Sequence, residues 1–326
     1  GGADSLALAA ATALEAPRTG SRAGAVIVDH GLQAGSSAVA DRAAAHARDF
    51  GLSPVVLRRA RIEQDRGSSA GGDARVAAGG AAGGPEAVAR AARYAEFVSA
   101  AEETGARWIL TAHTRDDQAE QTLLALARGS GMRSLAGIPP ERPLGGKGTV
   151  LRPLLAGRHG ITRSDTQAAC ADLGLDPWHD PHNADPAFLR SRVRTEILPL
   201  LEQRLGPGVA TALARTADLV REDADALEAL AAELARSSLR AAPTSDPEDS
   251  GEASIALDVA ALATAPAALR QRAIRLVARD HFDAHLSRDH TLAVAALVTD
   301  WRGQGPIDVP GVAVSREGRA LVFRAR

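Results

Sequence analysis

The chain has 326 residues, 45% of them hydrophobic, and a formal net charge of −2. That is enough apolar material for two ordinary domains, and no apolar run approaches the roughly 18 residues of a membrane span. Cys170 is the only cysteine, which excludes an internal disulfide and an all-cysteine metal site and fits a reducing cytoplasm.

The first residues, Gly1-Gly2-Ala3-Asp4-Ser5, run straight into an apolar Leu6-Ala7-Leu8-Ala9-Ala10 stretch. Glycines let the backbone approach a ligand closely. The first turn of the helix that follows offers free N–H donors and a positive dipole end to phosphates. Asp4 adds a carboxylate able to bind magnesium, and Ser5 a hydroxyl donor. Such a run is also a common turn, and it lacks the Gly-Lys-Ser/Thr ending of a Walker loop. The buried strand that normally precedes a phosphate loop is expected to lie outside this sequence.

Further along, residues 23–29 read as a short buried strand ending at His30-Gly31, 37–50 as a helix and 54–57 as another strand. Gly67 to Gly84 is rich in Gly, Ala and Ser and predicts a disordered insertion. Glu86 to Thr104 reads as a helix, 107–112 as a strand, and about Asp116 to Arg128 as a helix that stops at Gly129. This alternation predicts an α/β fold, a parallel sheet with helices on both faces. After Leu155 the strand signal fades. Residues 162–173 and 186–240 read as helical, 241–254 as a polar, acidic linker, and 255–326 as a small α+β unit. In that unit helices are expected near 259–263, 266–279 and 287–300, and strands at 306–309, 312–315 and 320–324. The expected domains are therefore 1–155, a helical extension 156–240, the linker, and 255–326.

The densest chemistry lies in Leu110-Thr111-Ala112-His113-Thr114-Arg115-Asp116-Asp117-Gln118-Ala119-Glu120. His113 leaves the carboxyl end of a strand, where open α/β sheets bind ligands. Asp117 and Glu120, three apart, share a helix face. Carboxylates beside a phosphate site suit Mg²⁺, with Asp4, Asp117 and Glu120 as the candidate ligands. For Asp116, helix capping is an equally good reading. Asp29, His30 and Gly31 end a second strand, and Arg90, Arg93 and Tyr94 lie on the helix before the His113 strand.

Gly-Gly-x-Asp-Ser, Val-Asp-His-Gly-Leu (residues 28–32), Ala-Arg-x-x-Arg-Tyr (89–94) and His-x-x-Asp-Asp-x-x-Glu, in this order, resemble the N-type ATP pyrophosphatases and, within them, the tRNA(Ile)-lysidine synthase family. Residues 129–138, Arg152-Pro153-Leu154-Leu155, the Trp178–Asp185 segment and Arg190-Ser191-Arg192-Val193-Arg194 extend the likeness over about residues 1–215. It is looser for 255–326. The chain departs from the family in lacking a Ser before Gly1, in the Gly-rich insertion, and in Ser191 where Asn is usual.

The resemblance implies ATP as substrate with Mg²⁺, free L-lysine as nucleophile, and isoleucine tRNA with a CAU anticodon as acceptor. It implies that Gly1, Gly2, Ala3, Asp4 and Ser5 hold the pyrophosphate and that Asp29, His30 and Gly31 sit near the nucleoside. Asp4, Arg93, His113 and Asp117 would be catalytic, with Asp117 orienting or deprotonating the lysine amine. Arg190, Arg192 and Arg194 would contact RNA, surface salt bridges being the plainer alternative. The last unit would bind the tRNA. The oligomeric state is left open, a homodimer included. Sulfur-transferring relatives need paired cysteines, which one Cys170 cannot supply. Amidotransferase-coupled relatives would leave the arginine run without a role, and intact Asp4, His113, Asp117 and Glu120 argue against an inactive RNA binder.

Overall fold

The computed structural model describes residues 1–29, 31, 35–59, 85–146, 148–155, 160–183, 185–241 and 254–326. His30, the Gly67–Gly84 insertion and residues 242–253 of the expected linker lie outside the described residues. The chain forms two compact units, Gly1–Asp218 and Leu219–Arg326. No helix among the described residues is long and apolar enough to cross a membrane.

The first unit alternates helix and strand. It opens with α1 (Ala3–Arg18), β1 (Ala25–Asp29), α2 (Ser36–Asp49), β2 (Val55–Arg59) and α3 (Pro85–Thr104). β3 (Trp108–Leu110), α4 (Arg115–Ala127), α5 (Met132–Leu135), β4 (Glu141–Gly145), β5 (Gly148–Leu151) and α6 (Arg163–Asp172) follow. β1 and β2 pair in parallel from Ala25↔Val55 to Asp29↔Arg59. α2 buries Ala40, Ala43, Ala44 and Ala47, a helical i, i+3, i+4, i+7 stripe whose small side chains let it lie close to both strands. α3 buries Tyr94, Phe97 and Ala101 in one apolar cluster with Ile109, Leu144 and Val150, and Val26 and Val28 of β1 pack against it. Each large side chain buried in this way contributes about 1.5–3 kcal/mol.

The β4–β5 hairpin was not expected. β5 pairs in parallel with β3, from Trp108↔Thr149 to Leu110↔Leu151, and antiparallel with β4 at the edge. Pro143 and the glycines at 145, 146 and 148 break the alternation that marks a strand. An edge position tolerates them, and the register shifts between Pro143 and Gly145.

The long helical region resolves into α7 (Leu189–Arg192), a π-helical turn at Val193–Ile197, α8 (Leu198–Leu205) and α9 (Val209–Ser238). The break after α8 falls at Gly206, whose φ of 96° suits glycine. The division between the two units falls within α9.

The second unit adds β6 (Leu239–Arg240), β7 (Ser254–Asp258), α10 (Val259–Thr264), α11 (Ala267–Phe282), α12 (Arg288–Thr299), β8 (Ile307–Val309), β9 (Val312–Glu317) and β10 (Ala320–Ala325). Its five strands form one antiparallel sheet in the order β6-β7-β10-β9-β8. Leu257, Ile274, Val294, Leu297, Val314, Leu321 and Phe323 fill its core. β6 and β7 flank the linker segment and were not read as strands, since two- and five-residue runs beside a polar stretch carry little pattern.

Candidate active site

The site is built at the starts of helices and the ends of strands. Gly2 is extended (φ −77°, ψ 164°) and α1 begins directly after it, which leaves the first-turn N–H groups pointing out ahead of the helix. The Ser5 hydroxyl donates to Gly2 O at 2.8 Å. Trp178 N donates to Gly1 O at 2.9 Å, tying this loop to the Trp178–Asp185 segment. Asp4 accepts a short hydrogen bond from Thr166 Oγ1, and its other oxygen lies 3.9 Å from Arg163 Nε. Burial raises the Asp4 carboxyl above its usual range, a rise that Thr166 and Arg163 hold back.

α4 carries its polar residues inward. Thr114 and Asp117 form a capping box, with Thr114 N donating to Asp117 Oδ2 at 2.8 Å. Asp116 Oδ2 accepts from Arg163 N at 2.7 Å, so Asp116 caps the first turn of α6. Gln118 Oε1 accepts from Ile138 N at 2.7 Å. Gly137 fits beside that amide because a Cβ there would stand 2.5 Å from Gln118 Oε1, and its φ is 66°. One turn on, Glu120 is fully buried.

Three guanidiniums converge on Asp117 and Glu120. Arg190 donates to Glu120 Oε2 at 2.9 Å and to Asp117 Oδ1 at 3.2 Å. Arg194 grips Glu120 with two bonds, of 2.7 and 3.0 Å. Arg163 stands 3.3 Å from both Asp117 Oδ1 and Glu120 Oε1. Burial alone would raise the Asp117 carboxyl. Arg190, the Thr114 amide and Arg163 outweigh it and hold the group below the usual carboxylate range. Desolvating so many charges stabilises a fold little, so a buried ionic network of this kind points to function.

His113 lies just past β3, with its Nδ1 3.2 Å from Thr111 Oγ1 and 3.3 Å from Arg152 Nε. Burial lowers its pKa to about 3, against the pull of Asp117 in the other direction.

The sequence expectations fare differently. Asp4, Asp117 and Glu120 are joined through Arg163 into one network, and Arg190 and Arg194 belong to it. Arg192 points elsewhere and donates to Pro186 O at 2.7 Å. The alternation 190, 192, 194 therefore splits in space, because residues four apart share a helix face and the middle one does not. Asp29 is buried at the end of β1 and accepts from Gly31 N at 2.9 Å. Arg93 is half-buried on α3. Arg163 and Thr166 were missed. The Thr162–Asp165 capping box marks α6 in the sequence, but nothing local tells which way Arg163 faces.

The expected Mg²⁺ ligand set does not fit this arrangement. Among the described residues no group of three His, Cys, Asp or Glu side chains could hold a metal ion. Both Glu120 oxygens and Asp117 Oδ1 already face guanidiniums.

Comparison with known proteins gives two domain matches. Residues 1–201 match the PP-loop domain model, and residues 257–322 match the model of the TilS substrate binding domain. A tRNA(Ile)-lysidine synthase of Leifsonia xyli is 55% identical over 99% of this chain and 87% of its own length. Proteins of the same name from Thermobifida fusca and Salinispora tropica are 46% and 49% identical, over 98% and 95% of this chain and 86% and 84% of their own lengths. Among solved structures, a U34-tRNA thiolase from Methanococcus maripaludis gives a TM-score of 0.49 at 18% identity, over 68% of this chain and 70% of that chain.

Proposed function

This chain belongs to the tRNA(Ile)-lysidine synthase family, with its PP-loop domain in residues 1–201, and from that premise we propose that it joins free lysine to C2 of the wobble cytidine of isoleucine tRNA. In the first step O2 of the base attacks the α-phosphorus of ATP, pyrophosphate leaves, and the base is adenylated. In the second, the ε-amine of lysine attacks C2, the C2–O2 bond breaks, AMP leaves with O2, and the amine gives up its proton. The observation that carries this reading is the bridge from α1 to α4. Thr166 and Arg163 connect Asp4, in the phosphate-binding turn, to Asp117 and Glu120.

Each residue then has a distinct task. The first turn of α1, with Gly1 to Ser5, binds the phosphates. Asp29, Gly31 and Arg93 are assigned to the nucleoside and the reacting base, together with His30, which lies outside the described residues. Asp117 binds and orients the lysine ammonium, with Glu120 beside it. A carboxylate held this strongly ionised is a poor proton acceptor, so we assign Asp117 to orientation rather than deprotonation. Free lysine also carries a carboxylate, and Arg163, Arg190 and Arg194 offer forked donors for it. Arg192, on the other face, is left for the RNA backbone, and the second unit for the rest of the tRNA. Incubation with ATP, labelled lysine and isoleucine tRNA, followed by mass spectrometry of the nucleosides, tests the whole reading: a labelled cytidine adduct is expected, and its absence with active ATP hydrolysis would overturn it.

A further inference from the structure

Arg152 is a large, fully buried side chain that the reaction outlined above does not use. It follows β5, and its guanidinium makes three bonds. Nε donates to His113 Nδ1 at 3.3 Å, one terminal nitrogen to Pro139 O at 2.6 Å, and the other to the Tyr94 hydroxyl at 3.2 Å. All three acceptors are uncharged, and among the described residues no carboxylate pairs with Arg152. The surroundings add positive charge, since Arg142 stacks on the Tyr94 ring at 4.4 Å and Arg90 stands 5.2 Å from its centroid. A buried guanidinium without a counter-ion is costly, and an apolar side chain of similar volume would fill this space at less expense.

What Arg152 supplies is direction. A guanidinium only donates, and it stays protonated in proteins. The bond from Arg152 Nε therefore requires a lone pair on His113 Nδ1. The Thr111 hydroxyl lies 3.2 Å from the same nitrogen and, able to donate as well as accept, is compatible with that lone pair. In a neutral ring the proton must then sit on Nε2. A charged ring would point an Nδ1–H at the guanidinium N–H, two donors facing each other.

We propose that Arg152 is a positioning residue that holds His113 in its Nε2–H tautomer, so that His113 offers a fixed hydrogen-bond donor to substrate oxygen at the end of β3. The charged and titratable groups that act on the ring agree with this. Burial, Arg152, Arg90 and Arg190 disfavour a second proton on it, against the opposing pull of Asp117. His113 is then no general base through Nε2. Aimed at oxygen on the adenylate or the departing AMP, the donor stabilises charge as it develops. That last part rests on the lysidine-forming reading; the tautomer does not.

The test is a two-bond ¹H–¹⁵N correlation spectrum of the whole protein labelled with ¹⁵N-histidine. The chain has nine histidines, and the His113 signal is the one lost in H113Q. A pyridine-like Nδ1 and a pyrrole-like Nε2 are expected, and the reverse pattern would overturn the proposal. R152K, which keeps a donor, should retain the pattern, and R152M should give mixed tautomers. A folded R152M with the wild-type pattern overturns the role of Arg152; should R152M not fold, the wild-type and R152K spectra still decide. In turnover, a glutamine amide nitrogen can replace Nε2–H but an asparagine cannot. H113Q is expected within about tenfold of wild-type kcat, and H113N about 10²-fold down, the usual loss for one such donor. Equal losses would overturn the donor role. Wild-type protein that makes no lysidine would sink the assigned reaction and leave the spectrum to decide the tautomer.

Discussion

Replacing Glu120 by glutamine keeps the volume of the side chain and removes its charge. In the native protein Glu120 is fully buried and faces Arg163, Arg190 and Arg194 with bonds of 2.7 to 3.3 Å. Breaking a buried pair from one side costs about 3–5 kcal/mol, because the remaining charges stay desolvated without their partner. Here the arginine side chains are 21–27% exposed, so water screens them and the lower figure applies. For a unit of this size about 1 kcal/mol moves the midpoint by about 2–4 °C. We expect the melting temperature of the first unit to fall by about 6–12 °C in E120Q, followed by scanning fluorimetry. A double variant, E120Q/R194M, should recover part of the loss, since it removes a guanidinium left without a partner. A shift below about 2 °C in E120Q, or a double variant whose losses simply add, would refute the claim that this carboxylate anchors a buried ionic network.

D117N is expected to stay folded and to lose at least about 10²-fold in lysidine formation, measured by nucleoside mass spectrometry, because the group that holds the ammonium is gone. R192A should shift the melting temperature by less than about 1 °C yet weaken tRNA binding at fixed salt, whereas R194A should melt earlier; equal behaviour of the two would contradict their placement on different faces. Because the His113 pKa is depressed to about 3 in the folded state from an ordinary 6.5, its contribution to stability is present above pH 6.5 and is lost as pH falls toward 3. Urea melts of wild type and H113Q at pH 4.5 and 7.5 should therefore show wild type losing more stability on acidification. A chain ending at Asp218 keeps every residue proposed to touch ATP and lacks the second unit. It should bind ATP with unchanged affinity and tRNA more weakly, as filter binding at matched salt would show.

The sequence by itself determined the alternation of helix and strand up to Gly129 and the local spacing of the residues proposed for the chemistry. The apolar periodicity of 37–50 and 86–104 is a local property, and both helices stand where it puts them, as α2 and α3. Gly1 to Ser5 and the His113–Glu120 run were legible because their spacing is set within one or two helical turns. The tertiary structure alone decided the partners. Arg163, Arg190 and Arg194 reach Asp117 or Glu120 across 43 to 74 residues, and no local spacing encodes a contact over that distance. It also separated Arg192 from its neighbours and put guanidiniums where magnesium was expected. Likewise it placed β5 between β3 and β4, a pairing that Pro143 and the nearby glycines conceal. Arg152 shows the same limit most sharply. Its motif was visible in the sequence, but the tautomer it imposes on His113 depends on which ring nitrogen packing turns toward it, and only the folded chain settles that.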